Sequence, residues 1–87
     1  MQKLSETHTR APGWSEVDRR YLAAVGAKLR KARLRAGLSQ DETAARAGVT
    51  RPTLSAIENG LADARIITLI RLSAAMGLSA ADLFADS

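Results

Sequence analysis

The stretch "AGVTRPTLSAIENG", residues 47–60, sets the tightest limit on what this chain can fold into. Gly48 stands where a preceding helix has to stop, because glycine takes a left-handed backbone without steric cost. Two residues later Thr50 offers a side-chain oxygen to open another helix. Pro52 is tolerated only in a first turn, where its missing N–H costs nothing. Val49, apolar in a turn, is expected to plug inward. The second helix therefore starts near Arg51, runs to about Asn59 and is closed by Gly60. Its inward face is Leu54 and Ile57, and its outward face opens with Arg51, Pro52 and Thr53. Two short helices joined by so tight a turn cannot lie antiparallel; they diverge at roughly 90–120°.

The remaining chain is punctuated in the same way. Leu22, Val25, Leu29, Ala32 and Ala36 recur at steps of three and four, one helical stripe that Gly37 ends. Ser15 with Asp18 forms a capping pattern that extends this helix back through Val17 and Tyr21. Ser39-Gln40-Asp41-Glu42 is a capping box opening a short helix to Ala47. Leu61 to Arg65 is a loop. Ile66, Leu69, Leu72 or Ser73, and Met76 mark a fourth helix stopped by Gly77, and Ser79 and Asp82 cap a last short one carrying Leu83 and Phe84. No stretch reads as a strand. Residues 1–14 are polar, lack periodicity and finish in Pro12-Gly13, the pattern of a mobile arm. The expected organisation is an N-terminal arm over residues 1–20, partly helical, followed by one all-α domain of five short helices over residues 21–87.

Composition excludes several functions. With 3% aromatic residues the core must be built from Leu, Ile, Val and Ala, which favours helices. There is no cysteine, hence no disulfide framework, thiol nucleophile or zinc-finger spacing, and the single His8 cannot hold a metal alone. No cofactor is expected. No Ser–His or paired-carboxylate arrangement and no glycine-rich phosphate loop suggests an enzyme. The absence of a membrane-length apolar run and of a signal-peptide core points to the cytoplasm and away from a membrane.

The net charge of +4 conceals an asymmetry, since residues 19–51 hold nine basic side chains against Asp41 and Glu42. Concentrated positive charge is what a nucleic-acid footprint requires. A solvated, arginine-rich helix face fits the charge equally well. The helix pair favours the first reading, because a major groove admits one helix while its companion crosses the phosphate backbone.

At this point the chain resembles the Cro/C1-type (XRE-like) helix-turn-helix DNA-binding domains of phage, plasmid and bacterial regulators. The residues that carry the resemblance are "GAKLRKARLRAGLSQDETAARAGVTRPTLSAIENG", 26–60, and "TLIRLSAAMGLSAADLF", 68–84. The succession G-L-S-Q, A-x-x-A-G-V, I-E-N-G and M-G-L-S at these spacings is specific, whereas any one of them alone would be weak. The resemblance implies that Gln40 opens the second helix and bonds a phosphate, supported by Ser39 and the helix N-terminus. It places Arg51, Pro52, Thr53, Ser55 and Ala56 on the base-reading side of the recognition helix. By chemistry Arg51 is the strongest reader, since a guanidinium pairs with guanine O6 and N7; Pro52 and Ala56 offer apolar contact only. Thr50, Asn59 and Arg65 complete the implied phosphate contacts, Arg33 and Glu58 an internal ion pair, and Leu29, Ala44, Val49, Leu54, Ile57, Leu69 and Met76 the core. Two departures stand out. Thr43 replaces a usual leucine, and loop 61–65 lacks the basic pair and proline common in the family, leaving Arg65 alone there.

The function expected from this resemblance is sequence-specific regulation of transcription, as a repressor or autoregulator without a ligand-sensing domain. An antitoxin that binds both a cognate toxin and its own operator is the alternative, with residues 1–20 as the segment that would fold on the partner. Asp41 and Glu42 read as capping and helix-dipole residues, or else as a contact for RNA polymerase. One recognition helix reads too few base pairs to find a genomic site, so a two-fold dimer on a pseudo-palindrome is expected. Its interface candidates are Leu78, Leu83 and Phe84, with Trp14, Val17 and Tyr21 as the rival set.

Overall fold

The structure, a computed structural model, describes residues 13–85; most of the expected arm, and with it most of the segment assigned to a toxin partner, lies outside them. Four α-helices follow in order: α1 (Glu16–Arg35), α2 (Gln40–Ala47), α3 (Arg51–Glu58) and α4 (Ile66–Ala75). A 3-10 helix (Ala80–Phe84) follows α4. The fifth helical segment is thus a 3-10 turn, and no strand occurs among the described residues.

Helix α1 begins at Glu16, ahead of the stripe that starts at Leu22, because the Ser15–Asp18 capping box forms. Asp18 N–H donates to Ser15 Oγ at 3.0 Å, and Ser15 N–H to the Asp18 carboxylate at 2.9 Å. Residues 16–20, within the span assigned to the arm, are therefore helical, yet all are exposed.

Four helix ends share one device. Gly37, Gly48, Gly60 and Gly77 all have φ between +72° and +75°. After each, the next N–H returns to a carbonyl five residues back: Leu38 to Arg33, Val49 to Ala44, Leu61 to Ala56, and Leu78 to Ser73. This ending satisfies carbonyls that the helix leaves unpaired. Val49 packs half-buried against the core, as its place in the turn suggests.

Helices α2 and α3 are held by different partners: α2 packs mainly on α4, and α3 on α1. The α1–α3 approach is set by two glycines. A Cβ on Gly26 would lie 2.6 Å from the Glu58 carbonyl oxygen and nearer still to that of Ile57; one on Gly60 would lie 2.8 Å from Ala23 Cα. Backbone touches backbone at both places.

Leu29, Leu54, Leu72 and Leu83 are the largest apolar side chains fully inside, joined by Val25, Ala32, Ala44, Ala47, Ile57 and Met76. Thr43 is also fully buried, and its Oγ1 has no hydrogen-bond partner. Leu83 must be struck from the interface candidates: at 1% exposure it is core, not surplus apolar surface. The Lys28 ammonium donates to the carbonyls of Asp82 and Ala85, tying the 3-10 helix to α1 and turning Leu83 inward. Leu78 is half-buried against the core, and of the three only Phe84 stays exposed, at 62%.

Candidate nucleic-acid interface

Helix α3 buries Leu54, Ile57 and Glu58, which leaves the opposite face open. Pro52 and Ala56, one turn apart, form the smooth middle of that face. Arg51, Pro52, Thr53 and Asn59 are exposed, while Ser55 and Ala56 are half-buried. All five residues expected to read bases thus share this helix, with Arg51 at its first position.

The start of α3 is held by paired hydroxyls. Thr50 Oγ1 accepts from Thr53 N–H at 3.2 Å and donates to Thr53 Oγ1 at 2.9 Å. The Thr50 hydroxyl hydrogen is therefore spent internally, and Thr53 keeps the free one. Asn59 uses one amide hydrogen on the Ser55 carbonyl at 2.9 Å.

Helix α2 starts from a complete capping box. Glu42 N–H donates to Ser39 Oγ, and Ser39 N–H to Glu42 Oε1 at 2.8 Å. The Ser39 backbone N–H first, and the Ser39 side chain second, hold the Glu42 carboxyl below its ordinary pKa of 4.5, and Arg46 adds a smaller lowering.

Beneath the two helices a buried ion pair joins three elements. Arg33 of α1 donates through Nε to Glu58 Oε2 at 2.7 Å and through Nη2 to Oε1 at 3.2 Å. Its Nη1 reaches the Leu38 carbonyl at 2.9 Å. Gln40 Nε2 donates to Glu58 Oε1 at 3.1 Å, so α2 is locked to the same carboxylate. An amide nitrogen carries two hydrogens. Gln40 therefore retains one for an outside acceptor.

Arg65 precedes α4, with no side-chain capping bond. It lines an open groove with Thr53 of α3 and Arg71 of α4, and Asp63 lies on the same groove. The Arg71 guanidinium rests over the helix-turn-helix corner, its Nη1 3.8 Å from where a Cβ on Gly48 would stand. Sequence reasoning missed Arg71. The shortage of basic residues in loop 61–65 was the only signal, and nothing local shows that position 71 overhangs position 48.

At the front, Arg51 Nε lies 3.8 Å from Asp41 Oδ1 across the two helices. Adjoining the Arg65–Arg71 groove, and sharing Ile57 and Asp63 with it, a largely apolar groove is lined by Tyr21, Phe84, Leu22, Val25 and Leu69. One member of each rival interface set, Tyr21 from the N-terminal set and Phe84 from the C-terminal set, thus lines the same groove. Among the described residues no group of acidic or histidine side chains is arranged to hold a metal, and no helix is long and apolar enough to cross a membrane.

The sequence profile of the helix-turn-helix family matches residues 29–83. The HTH-type transcriptional regulator y4dJ of Sinorhizobium fredii is 37% identical over 67 residues, covering 77% of this chain and 84% of that one. Among solved structures, the restriction-modification controller protein C.AhdI from Aeromonas hydrophila superposes with a TM-score of 0.69 at 28% identity, over 72% of this chain and 96% of its own. SinR, a master regulator for biofilm formation solved in complex with DNA, superposes with a TM-score of 0.66 at 32% identity, over 70% and 98% of the two chains.

Proposed function

The chain belongs to the helix-turn-helix family of DNA-binding transcriptional regulators, which are not enzymes, and from that premise we propose that it binds a specific double-stranded operator as a dimer. The observation that carries the reading is the open face of α3, with Arg51 at its head and arginines flanking it. In this reading α3 enters the major groove. Arg51 pairs with a guanine, and Pro52, Ser55 and Ala56 set the shape of the contact. Thr53 donates its free hydroxyl hydrogen.

Phosphates on one side take the second amide hydrogen of Gln40, the Ser39 hydroxyl and the N–H groups that open α2, where the helix dipole favours an anion. On the other side Arg65 and Arg71 together supply the positive charge that loop 61–65 lacks. Asn59 offers its remaining amide hydrogen at the far end of α3. Thr50 contributes by fixing that helix start, its hydroxyl hydrogen going to Thr53 and not to a phosphate.

The dimer interface we propose is the groove shared by Tyr21 and Phe84, both more than 60% exposed. Ile66 and Ile70, also exposed, stand one turn apart beside Leu69 on that flank of α4. Large apolar side chains gathered in this way favour a partner surface over water. Two-fold pairing would set the recognition helices about 34 Å apart, one turn of DNA.

Selection from a random-sequence DNA pool tests the reading, followed by titration of the enriched and scrambled duplexes. Enrichment of a pseudo-palindrome bound by two chains is expected, with discrimination reduced by Arg51→Ala. Equal losses on both duplexes would remove Arg51 as a base reader. Sedimentation of Phe84→Ala and Tyr21→Ala addresses the interface; a wild type that stays monomeric at micromolar concentration would end the dimer proposal.

A further inference from the structure

Among the described residues two ion pairs form, and the one at the surface spans the two helices of the helix-turn-helix unit. Arg51 Nε lies 3.8 Å from Asp41 Oδ1, with the side chains 63% and 79% exposed. We propose that Asp41 is a specificity-positioning residue: it holds the Arg51 guanidinium by its Nε side, leaving the outer Nη edge free to pair with guanine. The inference rests on the DNA-binding reading above.

Chemistry supports this division of the guanidinium. It is planar and carries five N–H donors in a fixed fork, whereas guanine O6 and N7 together use two. A carboxylate on the Nε side leaves enough donors for a bidentate base contact. Arg51 stands at the first position of α3, on a long exposed stem with many rotamers. Fixing it before DNA arrives removes part of the ordering cost of binding. Residue 41 stands early in a different helix, so only the angle between α2 and α3 brings its carboxylate here.

Helix-dipole compensation is the plainer account of an acid in the first turn of α2. It does not need Asp41 to approach Arg51, and the two accounts differ in a measurable sign. An acidic side chain on a DNA-facing surface repels phosphate, so Asp41→Asn should tighten binding to scrambled DNA in either case. If Asp41 serves the dipole alone, operator binding tightens equally and the ratio between the two is unchanged. If Asp41 positions Arg51, the operator gains less and the ratio falls.

The experiment uses the full chain and the sequence enriched from a random DNA pool, with affinities for enriched and scrambled duplexes at fixed salt. We expect Asp41→Asn to lower the ratio about two- to fivefold, the range that an exposed ion pair supports. Asp41→Glu should restore part of it. In an Arg51→Ala background, Asp41→Asn should leave the ratio unchanged, the signature of one residue acting through the other. An unchanged ratio in the single variant overturns the positioning role while leaving DNA binding intact. An equal fall in the Arg51→Ala background overturns it too. If no sequence is enriched at all, the DNA-binding reading fails first and this inference falls with it.

Discussion

Replacing Glu58 with alanine probes the ion pair that joins α1, α2 and α3. The pair is deeply placed, with side-chain exposures of 9% for Arg33 and 2% for Glu58. The truncation removes both guanidinium–carboxylate bonds and the Gln40 bond to the same carboxylate, leaving Arg33 with the Leu38 carbonyl alone. A guanidinium cannot shed its proton to escape burial. Breaking one side of a buried pair costs about 3–5 kcal/mol, because the surviving charge stays desolvated. Total stability of a domain is only about 5–15 kcal/mol, so the loss is a large share of it. At roughly 4–8 °C per kcal/mol for a chain of this size, the midpoint should fall by about 12–40 °C. Far-UV circular dichroism during thermal and urea unfolding measures it. Arg33→Ala should cost less, since the orphaned carboxylate keeps its Gln40 donor. Replacing both partners with apolar residues, as in Arg33→Met with Glu58→Leu, should recover most of the loss. A Glu58→Ala midpoint within a few degrees of wild type would refute the reasoning and show the pair to be solvated.

Thr43→Val exchanges a buried hydroxyl without a partner for a methyl of similar shape; we expect a gain of about 1–2 kcal/mol, read as a higher melting temperature, and a loss would reveal a hidden partner for Oγ1. For Glu42 the folded-state pKa is lowered, so its contribution is complete above 4.5 and disappears as the pH falls through the lowered value. The melting-temperature gap between wild type and Glu42→Ala should accordingly be present at neutral pH and close under strong acid. Arg65→Ala and Arg71→Ala should each lower the slope of log affinity against log salt by about one, similarly for operator and scrambled DNA. An unchanged slope for Arg71→Ala would place its guanidinium away from phosphate. Gly26→Ala, which would force a Cβ onto the Glu58 and Ile57 carbonyls, should push α3 away from α1 and lower the melting temperature; unaltered stability would contradict that close approach.

Much of this protein is written in short stretches of its sequence. The capping boxes at Ser15 and Ser39, the Thr50 cap with Pro52 behind it, and the glycine followed by an apolar residue at four helix ends all act over three to five residues. Such features are legible because both partners in each bond lie within five residues of one another. Periodicity likewise marks Leu54 and Ile57 as the inner side of α3, and so identifies its outer side. What only the tertiary structure decided depends on the angles and distances between helices. Periodicity leaves open which of Leu83 and Phe84 is core; the lysine tether from α1 and the packing of the 3-10 helix bury the first and expose the second. The meeting of Tyr21 with Phe84, the reach of Arg71 over Gly48, and the approach of Asp41 to Arg51 join residues on separate elements. Their separation along the chain carries no information about that proximity, because it follows from how closely α1 settles on α3 and α4 on α2. Gly26 shows the limit most directly: mid-helix in the sequence, it is one of the two places where backbones touch.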